Sequence, residues 1–269
     1  MKTGKARPRS LRLLVEGGTG KDGKPEPVRL LQVKAGEVLA VVGPTGSGKT
    51  RLLADVERLA RGDSPSGRRV RLEGADSRGR TPETLVARLS QAMGFYLDAT
   101  AGEFLRLHAE HRGRAQPAAL AAEALAAANG LVGEPFDADV PLALLSGGQA
   151  RALMVADVVL VSACPVVLID ELENAGIDRL RALDFLLAHR VIALVATHDP
   201  LIALRADRRL VMAGGAVRAV VRRSPAEAAL LRRLEHDHVR TEALKDRLRR
   251  GAPVVSRRAP RGVRRDPAR

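Results

Sequence analysis

Val38-Leu39-Ala40-Val41-Val42-Gly43-Pro44-Thr45-Gly46-Ser47-Gly48-Lys49-Thr50 decides how the rest of this chain is read. A short Val-rich run enters a glycine-rich loop. Apolar residues then recur at helical spacing in Leu52, Leu53, Val56 and Leu59. Strand, glycine-rich loop and helix in that order make a phosphate-binding loop. Gly43, Gly46 and Gly48 let the backbone curl so that its N–H groups, and a helix N-terminus, meet an anion. Lys49 adds a point charge for the outer phosphates, and the Thr50 hydroxyl is placed to hold Mg²⁺. Pro44, Thr45 and Ser47 complete the nucleotide-binding loop.

A chain of 269 residues has room for a sizeable core. With 45% apolar residues but 2% aromatics and no Trp, that core must be built from Leu, Val and Ala. The single cysteine, Cys164, excludes an internal disulfide framework and is expected to be buried beside a strand. The most apolar run, Ala152 to Ile169, is interrupted by Asp157 and Pro165, so it reads as a helix followed by a strand and not as a membrane span.

The net charge of +14 is unevenly placed. Residues 1–9 carry four basic residues, and residues 239–269 carry eleven Lys/Arg against three Asp/Glu, which leaves residues 10–238 near neutrality. Both ends read as basic tails, solvated or in contact with a polyanion such as nucleic acid, ribosome or anionic lipid.

Outward from the loop, Leu11 to Val15 and Val28 to Val33 read as strands joined by the Gly- and Pro-rich segment Gly17 to Pro27. Val70 to Leu72 reads as a short strand. Periodicity does not decide between strand and helix for Leu85 to Leu89. Residues 101–130 read as helical. Then helix 148–161, strand 166–170, helix 177–188, strand 190–196, helix 199–205 and strand 210–212 alternate, which argues for a parallel sheet with helices on both faces.

Val166-Val167-Leu168-Ile169-Asp170-Glu171 is a buried strand with two carboxylates at its C-terminal end, where ligands of such sheets bind. Asp170 suits the Mg²⁺ shell, and Glu171 suits a base that polarises water. Leu145-Ser146-Gly147-Gly148-Gln149 opens a helix and forms another anion site. With these pieces in place, residues 11–222 resemble the ATP-binding cassette (ABC) ATPases. The resemblance implies a P-loop α/β fold with a mostly parallel sheet, an N-terminal antiparallel β-subdomain and a helical subdomain at about 92–161. It makes Ser146, Gly147, Gly148 and Gln149 the signature that faces the γ-phosphate of a second cassette. It makes Gln91 the Q-loop residue near Mg²⁺ and the γ-phosphate, His198 of Ala196-Thr197-His198-Asp199 the switch histidine, and Asp178 the D-loop aspartate.

Three departures accompany the resemblance. Residues 10–35 lack the aromatic residue that commonly stacks on adenine, which leaves Val15 or Leu13 to support the base, or a base loosely held. Arg151 comes one place early after the signature, and Leu172 to Asp178 is one residue longer than usual. The expected organisation is a basic tail at 1–9, a cassette at 10–222, a C-terminal helix at 223–238 and a disordered basic tail at 239–269. The expected function is an Mg²⁺-dependent ATPase dimerising with itself or a paralogue, cytoplasmic or peripheral on the inner membrane face, and energising a separate permease. The alternative is a soluble ABC ATPase acting on a nucleic acid, ribosome or protein.

Overall fold

The computed structural model describes residues 11–74, 81–90, 95, 97–171 and 176–251. In chain order the elements are β1 (Arg12–Glu16), β2 (Leu30–Lys34), β3 (Val38–Val42), α1 (Lys49–Glu57), β4 (Arg69–Glu73), α2 (Pro82–Leu85), β5 (Val86–Leu89), α3 (Ala101–His111), α4 (Pro117–Gly130), α5 (Gly147–Ala156), β6 (Val166–Asp170), α6 (Arg179–Ala188), β7 (Ile192–Ala196), α7 (Pro200–Arg205), β8 (Arg208–Ala213), β9 (Ala216–Arg222) and α8 (Pro225–Arg249). The elements through β9 form one unit, and α8 belongs to a second.

Two sheets carry the first unit. β2, β1 and β4 make an antiparallel sheet, and β5-β6-β7-β3-β8-β9 make a second one that is parallel except for the β8–β9 hairpin. The central strands β3, β6 and β7 are apolar, save Asp170 at the end of β6, because both their faces are covered. Side chains alternate along each strand, so Ala40, Val167, Ile169, Ala193 and Val195 join the core on the α3–α6 side. Leu39, Val41, Leu168, Ile192 and Leu194 join the other core, with Leu52, Leu53 and Val56 of α1 and Leu13 and Val15 of β1. Each of the Val, Leu and Ile side chains among them contributes about 1.5–3 kcal/mol on burial.

Several expectations need adjusting. The ambiguous segment before Leu89 is both things in turn, a single helical turn (α2) followed by the edge strand β5. Residues 101–130 are two helices. Thr100 and Glu103 form a capping box that starts α3, Gly113 takes a positive φ of 64°, and Pro117 opens α4. After α5 the chain widens into a π-helical segment from Asp157 to Val161, where His108 Nδ1 meets Asp157 Oδ1 at 2.7 Å. Strand β9 was not anticipated, although Gly214-Gly215 between two apolar-polar runs is a hairpin signal. Helix α8 runs past the expected boundary at residue 238 to Arg249, because Ala, Leu, Glu, Lys and Arg favour helix and no Gly or Pro intervenes before Gly251. The two basic ends, 1–9 and 252–269, lie outside the described residues, as does Gln91. Cys164 is buried just before β6, and no helix among the described residues is long and apolar enough to cross a membrane.

Candidate functional site

The strand order places β3 beside β7 and β7 beside β6, so three chain-distant loops leave one edge of the sheet together. The register sets them level: Val41 is opposite Ala196, and Ala196 is opposite Asp170. Backbone bonds carry that alignment past the strand ends, from Thr197 N–H to Val41 O at 3.2 Å and from Glu171 N–H to Ala196 O at 3.0 Å. Gly43, Asp170-Glu171 and Thr197-His198 therefore sit side by side at the carboxyl edge, the usual ligand side of such sheets.

The phosphate loop is shaped by contacts that leave no room for side chains. A Cβ on Gly43, whose φ is 154°, would lie 2.4 Å from Met212 O and 2.7 Å from Ser47 Oγ. One on Gly48, φ 105°, would lie 2.9 Å from Gly215 Cα. Ser47 Oγ is buried and has no partner among the described residues, so the cradle presents an unmatched hydroxyl. Lys49 is buried at the start of α1 and donates to Gly43 O at 2.7 Å and Pro44 O at 3.3 Å. Its ammonium also lies 3.2 Å from His198 Nε2. An ammonium has only donors, so Nε2 accepts and the ring proton is on Nδ1. An incoming phosphate competes with these three acceptors for Lys49.

The loop carrying His198 is braced from behind. Thr197 Oγ1 accepts from Asp199 N–H at 2.9 Å, and Asp199 caps α7 by accepting from Leu201 N–H at 2.8 Å. Asp199 also pairs with Arg179 of α6. Asp178, next in the chain to Arg179, caps α6 by accepting from Leu180 and Arg181 N–H. The two predicted site residues Asp178 and His198 are thus joined through one ion pair between their neighbours.

Asp170 is engaged by a residue the sequence reading passed over. Arg88 of β5 places one guanidinium nitrogen 3.0 Å from Asp170 Oδ2 and another 3.2 Å from Glu57 Oε2. A charge inside a parallel strand needs a buried partner, and that was the available signal. Glu171 has φ 58°, in the left-handed region that costs a non-glycine residue on the order of 1–3 kcal/mol and clusters at active sites. The Thr50 hydroxyl and the Asp170 carboxylate are hard oxygen donors, the kind Mg²⁺ takes, so this chain fits the ion it is expected to use.

The signature builds a helix start. Ser146 Oγ accepts from Gln149 N–H at 3.3 Å, while Gln149 Oε1 accepts from Ser146 N–H at 2.9 Å. Gly148 packs against a second glycine: a Cβ there would be 2.6 Å from Gly176 O. Among the described residues these groups make no hydrogen bond to the phosphate loop of their own chain. Arg151 is buried in α5, and burial pulls its guanidinium below the usual range. Leu13 and Val15, expected to support the base, are 0% and 3% exposed in the core and cannot do so.

Comparison with known proteins bears on this geometry. The ABC transporter family matches residues 29–174. An uncharacterised ABC transporter ATP-binding protein of Methanocaldococcus jannaschii is 42% identical over 89% of this chain and 93% of its own length. The β-(1→2)-glucan export ATP-binding/permease protein NdvA of Agrobacterium vitis is 32% identical over 68% of this chain, which spans only 33% of that protein. A dimeric ATP-binding cassette in a post-hydrolysis state, bound to ADP and Pi, superposes with a TM-score of 0.56 at 21% identity, over 80% of this chain and 99% of that one. This chain therefore belongs to the ABC transporter family, as one of its ATP-binding, ATP-hydrolysing cassettes.

Proposed function

We propose that the chain is the energising subunit of a membrane transporter whose permease is a separate polypeptide, and that it works as a dimer. The single observation behind the catalytic half is the level alignment of Gly43, Asp170-Glu171 and His198 at one sheet edge. In this reading the loop N–H groups and Lys49 hold the phosphates. Thr50, Asp170 and Gln91 would hold Mg²⁺, which would supply charge neutralisation on the phosphate oxygens. Glu171 polarises a water for attack on the γ-phosphorus, and His198 steadies the γ-phosphate and that water. The bond from the γ-phosphorus to its bridging oxygen breaks, and ADP leaves with the electron pair. Ser146 to Gln149, together with Asp178, serve the second copy's site, in keeping with a signature whose hydrogen bonds stay off its own phosphate loop. A cytoplasmic location, against the inner face of a membrane, follows from that role.

Affinity purification of tagged protein from native membranes, followed by partner identification, tests the transport half. Recovery of a polytopic permease supports it. Recovery of RNA or ribosomal proteins in its place favours the soluble alternative.

A further inference from the structure

With Leu13 and Val15 in the core, residues 11–35 offer no ring for a base to stack on, and contacts to the phosphates gain weight. The connection between β1 and β2 presents Lys21 at the phosphate loop. Its backbone N–H donates to Gly214 O at 2.7 Å, and its Nζ donates to Gly46 O, in the phosphate loop, at 3.0 Å. Its stem covers Gly215, where a Cβ would lie 3.0 Å from Lys21 Cγ.

This placement is enforced. The connection is closed by Gly20 N–H to Lys24 O and by Glu26 N–H to Gly18 O, both at 2.9 Å. Glu26 is buried and ion-paired with the fully buried Arg68. Arg68 in turn donates to Gly215 O at 2.8 Å and to Asp55 Oδ2 of α1 at 2.8 Å. Gly215 N–H donates to Ser47 O at 2.9 Å. The β1–β2 connection, the β8–β9 turn and the phosphate loop are therefore bonded into one body, with Lys21 at its mouth.

The ammonium is exposed, and among the described residues it has no carboxylate partner. The nearby Asp22 is turned to Lys24 N–H at 3.1 Å and faces Arg218 at 3.9 Å. The Gly46 carbonyl is a neutral acceptor, whereas a phosphate oxygen is ionised and adds ion-pair attraction to the ammonium's hydrogen bond. We propose that Lys21 replaces the base-stacking ring with a phosphate contact, so that the triphosphate, and not the nucleobase, carries nucleotide affinity. This rests on the phosphate-loop reading above.

The test is titration calorimetry on the full chain with Mg²⁺ and three probes: a non-hydrolysable ATP analogue, its UTP counterpart and inorganic tripolyphosphate. Wild type is expected to bind the two nucleotides within about threefold of each other and tripolyphosphate within about tenfold of them. Lys21→Met, which keeps the stem, should weaken all three by about 5–20-fold, and Lys21→Arg should restore them. Unchanged melting temperatures without ligand would show that the variants are folded. A preference for the ATP analogue above about thirtyfold, or tripolyphosphate binding indifferent to Lys21→Met, would overturn the proposal. Lys49→Ala separates the two levels. If it binds tripolyphosphate normally, the phosphate-loop reading fails. If it loses binding while Lys21→Met does not, only the Lys21 inference fails.

Discussion

Arg88 holds Asp170: the guanidinium of β5 lies 3.0 Å from Asp170 Oδ2, on the neighbouring strand, and steadies itself on Glu57. The carboxylate assigned to the metal is thus shared with a fixed cation. Replacing Arg88 with Gln removes that competitor. Mn²⁺ binding, followed by electron paramagnetic resonance, should tighten by about fivefold (about 1 kcal/mol), the upper range for a partly exposed charge pair. Unchanged or weaker Mn²⁺ binding would mean that Arg88 orients Asp170 and does not compete at it.

Glu171 is assigned as the base, and Glu171→Gln keeps its size while losing the carboxylate. Hydrolysis should slow by roughly 10²–10⁴-fold with Mg-ATP still bound. Because hydrolysis reopens the pair of cassettes, the variant should accumulate as an ATP-bound dimer in light scattering after size-exclusion chromatography. Adding Ser146→Arg should prevent that dimer. A normal rate in Glu171→Gln would remove Glu171 from the mechanism.

Arg68 has no accessible surface and is ion-paired with two buried carboxylates, Glu26 and Asp55. Burial opposes its charge, but the hydrogen bonds and ion pairs to both carboxylates prevail and raise its affinity for the proton. Arg68→Met strands those two anions. The expected loss is about 3–5 kcal/mol, a fall in Tm of roughly 10 °C for a unit of this size. Scanning calorimetry reads this directly, and a shift under about 2 °C would contradict the network's weight.

Gly148 faces the Gly176 carbonyl so closely that alanine must displace backbone. Gly148→Ala should leave single-copy nucleotide binding near wild type, because Lys49 and its loop are untouched. Turnover should fall by at least about tenfold, since the signature acts on the facing copy. Loss of nucleotide binding by the isolated cassette would contradict this division of labour.

The sequence made the sheet, the phosphate loop, the Asp170-Glu171 strand and the signature legible because each is a local pattern. Val-rich runs report strands buried on both faces, and Ser146 with Gln149 reports a helix start. What stayed hidden is pairwise and long-range. Nothing around Glu26 announces that it will meet Arg68, 42 residues on, and nothing around Arg88 names Asp170, 82 residues on. The expected roles of Leu13 and Val15 failed for a related reason. Their alternation revealed which face they share, but which face the nucleotide approaches depends on where the second sheet packs.

The central position of β3 has a consequence for biosynthesis. Its neighbours β7 and β8 begin at Ile192 and Arg208, far downstream in the chain. At translation rates of about 5–20 residues per second, the Val38–Val42 segment waits roughly 8–30 s for either partner. Throughout that interval a both-faces-apolar strand is present without its flanking strands, and the nucleotide cradle lacks Met212 and Gly215 against its back. The cradle in its final form is therefore complete only after the β8–β9 turn has been made, whereas β1, β2 and β4 of the antiparallel sheet are already available by Glu73.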